Sequence, residues 1–193
     1  MIIFIVTLII CIITHELAHF IAAKLCGCGV DIFSVGMGKP YLKMIYKDTE
    51  YRLTPWLIGG YCSLRDELVS SNKKDSFTNL PYLKKMYITL AGVAVNILTG
   101  LLAMYVGVYY IIPNLWFFGY ISLWLGITNL LPIPALDGSY IFLVWLEKFM
   151  GKEKGYALME KLCKIGFIII TVVNIICIPW IIYLFCIGRL TWF

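Results

Sequence analysis

"IIFIVTLIICIITHELAHFIAAK", residues 2–24, sets an apolar run against polar groups that such a run rarely carries. His15, Glu16 and His19 stand in its second half, and these are the only two histidines of the 193-residue chain. In a helix His15 and His19 are one turn apart on the same face. The run is apolar enough to enter a membrane, where an ionisable side chain is expensive and usually functional.

The rest of the chain agrees with a membrane setting. Hydrophobic residues make up 61% and charged residues 14%, against roughly 45–50% and about 25% in soluble globular proteins. Mean hydropathy is +0.88. The 7 cysteines (11, 26, 28, 62, 163, 177 and 186) contain no CxxC pair. An odd, scattered set argues against a secreted disulfide framework and for small apolar side chains. Cys26-Gly-Cys28 is a candidate secondary thiol site. The net charge of +5 does not point to nucleic acid, because ten of the 16 Lys/Arg lie between residues 24 and 85 and five between 148 and 164. Basic residues gathered in alternate connections mark cytoplasmic loops.

Four spans are predicted, at about 2–24, 86–112, 115–146 and 165–187. The expected fold is a single domain over 1–193. It is all-α and polytopic, with about four transmembrane helices and a membrane-associated β-hairpin between the first and second. The third span is interrupted by "NLLPIPALDG" (129–138), and Pro179 sits inside the fourth. The first run is not read as a cleavable signal, since it has no basic start and leads straight into the histidines. The N-terminus is then outside, 25–85 and 148–164 inside. His19 lies roughly 8 Å within the basic boundary at Lys24, at 1.5 Å rise per residue. Residues 41–61 read as a hairpin around a Lys-Asp-Thr-Glu turn, followed by an apolar stretch ending at Gly59-Gly60. Trp56, Leu57 and Ile58 suit a hairpin dipping into the bilayer.

HExxH on a helix aims two imidazoles at one point and leaves the intervening glutamate beside it. A zinc hydrolase needs this arrangement: two neutral nitrogen ligands, and a base for the attacking water. The bland alternative is a pair of buried, hydrogen-bonded histidines holding helices together. A catalytic zinc site takes a third protein ligand, which must also reach membrane depth. Of the 11 acidic residues, only Asp137 besides Glu16 falls inside an apolar run. It follows Pro132 and Pro134, and broken backbone is tolerated there only against protein or a wet cavity. Either Asp137 is a ligand, or it caps the freed backbone N–H groups.

"HELAHF" (15–20), "AGVAVN" (91–96) and "NLLPIPALDG" (129–138) together resemble the three signatures of the site-2 protease family of intramembrane zinc metalloproteases. Their order and spacing, with "DIFSVGMGKP" (31–40) and "LIGGYCSLRDE" (57–67), resemble the bacterial regulator-of-sigma-E protease branch. There are two departures: Gly92-Val93 stands where the family has Gly-Pro, and no room for a PDZ domain separates the second and third predicted spans. The resemblance implies one Zn2+ per chain on His15, His19 and Asp137, with Glu16 as general base. It implies Asn129 facing the site, in contact with substrate backbone or oxyanion. Asn96 shares a helix face with Gly92 and Gly100, so close interhelical packing and a catalytic role both stand. The hairpin with Gly59 and Gly60 would offer a strand edge to an unwound substrate.

The expected activity is hydrolysis of peptide bonds within or near transmembrane segments, at the cytoplasmic face of a bacterial cell membrane. The resemblance implies a role in regulated intramembrane proteolysis of single-span membrane proteins or in clearing signal-peptide remnants, and the residues do not select between them; the lipid bilayer is an expected partner and nucleic acid is not. Two rivals remain. A zinc-binding transporter would not need Glu16. A prenyl-protein endopeptidase would want a further histidine or glutamate ligand on a helix, and the chain has no third histidine.

Overall fold

The computed structural model describes residues 2–67, 72–134 and 136–186. Helix α1 (Ile2–Cys26) carries the histidines. It ends where Gly27 takes φ +77°, Gly27 N–H bonding Lys24 O and Cys28 N–H bonding Ala23 O. Those paired bonds around a left-handed glycine are a Schellman stop. They turn the chain straight into a sheet.

That sheet has four strands: β1 (Val30–Met37), β2 (Leu42–Tyr46), β3 (Thr49–Leu53) and β4 (Trp56–Leu64). Their order is β2-β3-β1-β4, with β1 parallel to β3 and the other pairs antiparallel. The hairpin expected over 41–61 is present as β2 and β3. Its two-residue turn places Lys47 and Asp48 at φ +46° and +61°, the sign that matches strand twist in tight hairpins. The hairpin is half of the sheet, however, and β3 is interior. The edge that packs toward α1 belongs to β4. Arg65, just past β4, donates to Asp31 (2.8 Å) and pairs with Asp75, tying the following segment back onto β1.

Helix α2 (Tyr82–Tyr109) and helix α3 (Pro113–Asn129) form an antiparallel pair through small residues. A Cβ on Gly100 would stand 2.7 Å from Leu123 N, and one on Gly107 2.5 Å from Trp116 N. Backbones this close are typical of apolar helix pairs. Helices α4 (Ser139–Met150) and α5 (Lys152–Cys186) follow. Ala22, Ala23, Val30, Leu64, Phe77 and Ile88 form a buried core where α1, the sheet and α2 meet. A second cluster of Leu143, Tyr156 and Met159 joins α4 to α5.

The all-α expectation with about four spans is therefore corrected. Residues 30–64 build a mixed sheet. Among the described residues two helices, Ile3–Cys26 and Tyr82–Tyr109, are long and apolar enough to cross a membrane. The third expected span is two pieces, because Pro132 and Pro134 withdraw backbone donors and α3 stops after 17 residues, short of the roughly 20 a span needs. The fourth is the later part of α5, which opens with the charged residues Lys152, Glu153 and Lys154; Ile187 lies outside the described residues.

Candidate metal centre

Two elements converge on one point. His15 and His19 project from α1, and both are buried, at 5% and 8% exposure. Asp137 comes from the loop between α3 and α4. That loop closes on itself: Gly138 N–H bonds Asn129 O at 2.8 Å, and Ser139 Oγ donates to Leu136 O. A Cβ on Gly138 would run into the Leu130 carbonyl, so the fold-back needs glycine there.

The candidate ligand atoms face one another. His15 Nε2 lies 2.9 Å from Asp137 Oδ2, His19 Nε2 lies 3.2 Å from the same oxygen, and the two Nε2 atoms are 3.2 Å apart. A tetrahedral ion with bonds of about 2.0–2.1 Å sets its ligand atoms about 3.3 Å apart. Hydrogen bonding supplies a second test of fit. His19 Nδ1 is 2.8 Å from Ile88 O. A carbonyl only accepts, so Nδ1 carries the proton and Nε2 of the neutral ring is a bare lone pair. It points at a carboxylate oxygen. Two acceptors at that distance need a proton or a cation between them, and the residues fit a metal. Among the described residues this is the one grouping of three or more His, Cys, Asp or Glu side chains close enough to share an ion.

The site opens onto a cavity of about 320 Å³ lined by Glu16, His19, Tyr61–Leu64, Glu67, Ile88, Thr89, Asp137 and Tyr140. Glu16 accepts a hydrogen bond from the Cys62 backbone, so β4 holds the carboxylate beside the histidines. Gly60 lies beside it: a Cβ there would meet Glu16 Cγ in ordinary contact at 3.4 Å and press on Ser34 O at 3.0 Å. Asn96 is fully buried in α2, its Nδ2 3.2 Å from His15 Nδ1.

The other expected residues hold other places in the fold. Asn129 ends α3, and its carbonyl accepts the Gly138 N–H beside Asp137. Gly59 packs on Met37 within β4. Cys28 is buried in the core, and burial pushes its thiol up to about 12, which disfavours the thiolate that a secondary thiol site would need. Sequence reading missed Cys62, Ile88, Glu67 and Tyr140. Tyr140 donates to Glu67, and burial pushes the Glu67 carboxyl up to about 7.

Comparison with known proteins decides the family. The family model described as Peptidase family M50 matches residues 3–114 and 108–173. The chain belongs to Peptidase family M50. This bears out the site-2 protease resemblance. A protein of Borreliella burgdorferi, provisionally named a zinc metalloprotease, is 33% identical over 173 residues, covering 78% of this chain and 39% of that protein. A Campylobacter jejuni protein with the same provisional naming is 41% identical over 106 residues, 52% of this chain and 27% of its own length. The regulator of sigma E protease of Haemophilus influenzae is 32% identical over 116 residues, 58% of this chain and 26% of that protein. The matched part of this chain thus spans about a quarter to two fifths of these relatives.

Proposed function

We propose that this M50 chain is an intramembrane zinc endopeptidase, and that His15 Nε2, His19 Nε2 and Asp137 Oδ2 hold one Zn2+ per chain. The observation that carries the reading is the triangle itself: His15 Nε2, His19 Nε2 and Asp137 Oδ2 lie 2.9–3.2 Å from one another, with His19 Nδ1 turned to the Ile88 carbonyl. When bound, zinc supplies Lewis-acid chemistry, drawing charge from a carbonyl oxygen and easing deprotonation of water. Glu16 is then the general base. Its carboxylate, held by the Cys62 backbone on the cavity wall, takes the proton of the attacking water and delivers it to the leaving amine nitrogen. His19 is oriented through Ile88 O, so its ring stays fixed while the proton moves.

The substrate reading follows from β4. It is the outer strand on the site side, and Tyr61–Leu64 line the cavity beside Glu16 and His19. An extended segment laid along that edge would take main-chain hydrogen bonds without its sequence being read. A transmembrane segment unwound near the basic, cytoplasmic side fits this, in a single-span protein or a signal-peptide remnant of a bacterial cell membrane. The basic loops support that orientation. Asn129, whose carbonyl closes the loop beside Asp137, stays in this proposal as a group that meets substrate backbone or oxyanion. The test is cleavage of a panel of model transmembrane peptides by the purified chain in detergent. Cutting should stop with a chelator and return with zinc; cutting that ignores the chelator would overturn the proposal.

A further inference from the structure

His15 and His19 are held differently, and the difference is chemical. His19 Nδ1 meets a backbone carbonyl, which can only accept, so in the neutral ring the proton sits on Nδ1 and Nε2 is the ligating atom. His15 Nδ1 meets a side-chain amide. Asn96 Nδ2 stands 3.2 Å from it, while Asn96 Oδ1 is buried with no hydrogen-bond partner among the described residues. The Asn96 backbone is pinned, because its carbonyl accepts Ser122 Oγ–H at 2.9 Å from α3. The side chain is fully buried.

A neutral imidazole carries one proton. With Asn96 Nδ2 donating, His15 Nδ1 is the acceptor and the proton sits on Nε2, where it donates to Asp137 Oδ2 at 2.9 Å. That tautomer offers no lone pair at Nε2. Metal binding through Nε2 requires the proton on Nδ1, and an Nδ1–H requires an acceptor. The acceptor at hand is the orphaned Oδ1. A half-turn of the amide exchanges Oδ1 and Nδ2 in nearly the same volume.

We propose that Asn96 is a positioning residue that sets the tautomer of His15: its N–H₂ holds the metal-free form, and its Oδ1 turns to accept Nδ1–H when Nε2 takes a metal. The inference rests on the zinc reading above. It also explains why an amide suits this position, since one side chain serves both states.

The test is Co2+ binding by the full chain in detergent, followed by visible absorbance and chelator competition, for the wild type, Asn96→Leu and Asn96→Asp. Asn96→Leu removes both hydrogen-bonding groups at similar size, and Co2+ should bind about 10–100-fold more weakly. Asn96→Asp keeps the acceptor and should bind at least as tightly as the wild type. Thermal unfolding of the metal-free variants checks that both fold. Nitrogen-15 spectra of the His15 ring should show Nε2–H without metal and Nδ1–H with Zn2+. Wild-type affinity in Asn96→Leu, equal weakening in Asn96→Asp, or one tautomer in both states would overturn the inference and leave the zinc reading standing. Failure of the wild type to take up Co2+ would overturn that reading itself, and this inference with it.

Discussion

Gly92 of α2 leaves no room for a Cβ beside His19. A methyl group there would run into His19 Nε2 and come within 2.7 Å of His15 Cε1. The histidine pair is therefore shaped from the opposite helix. Gly92→Ala should push both rings off the Asp137 carboxylate and cost at least about tenfold in metal affinity, with cleavage falling alongside. Gly100→Ala is the control. Its Cβ would press on α3 at Leu123, costing about 1–3 kcal/mol of stability by overpacking while metal binding persists. Equal metal loss in the two variants would show that Gly92 acts only through helix packing.

Much of the centre was legible in the sequence, because its chemistry is carried by residue types that are costly where they occur. Two histidines one turn apart, and a single acid beyond a double-proline break, have few other reasons to lie in apolar segments. The sheet was legible only in part. β2 and β3 are joined by a two-residue turn, whereas β1 and β4 pair across distant segments, and "WLIGGYCSL" is too apolar and glycine-rich to show clean alternation. The prolines announced a break in the third apolar segment. Its extent depended on how the loop closes from Asn129 to Gly138, which is tertiary. Glu67 sits in a charged tract that reads as a solvated face, and only the fold brings it to the cavity.

The base and the ligands separate by substitution. Glu16→Gln leaves all three ligating atoms in place, so metal should stay near one per chain while cleavage falls about 10²–10⁴-fold with the loss of proton transfer. Asp137→Asn keeps the size but removes the charge, and metal should be lost with activity. Metal content measured beside peptide cleavage distinguishes them. Full proteolysis by Asp137→Asn would sink its assignment as a ligand.

Gly60 tests the seating of Glu16 against β4. In Gly60→Ala the new methyl would press on Ser34 O at 3.0 Å, shifting β4 and its Cys62 backbone relative to the Glu16 carboxylate. Cleavage should drop at least about tenfold with metal content unchanged. Leu53→Pro should behave differently, because β3 is paired on both sides and a proline there breaks the ladder. It should lower the unfolding temperature. Wild-type cleavage by Gly60→Ala would mean that Glu16 does not depend on the strand.

Glu67 gives the metal-free chain a pH signature. Its carboxyl titrates near 7 in the folded chain because burial outweighs the Leu64 backbone hydrogen bond, and near 4.5 when unfolded. Below about 4.5 both states are protonated and stability does not change on this account. Between about 4.5 and 7 the folded state holds a proton that the unfolded state has released. Stability contributed by the protonated group is therefore lost as pH rises through that window, by at most about 1.4 kcal/mol per unit, and levels off above it. Thermal unfolding of the chelator-treated chain from pH 4.5 to 8 should show this decline. Glu67→Gln should flatten it, since the amide keeps a neutral partner for Tyr140 at every pH. Glu16, His19 and Asp137 share the cavity and titrate in both proteins, so the difference between the two curves isolates Glu67. Parallel curves for wild type and Glu67→Gln would show that this carboxyl stays in an ordinary, solvated range.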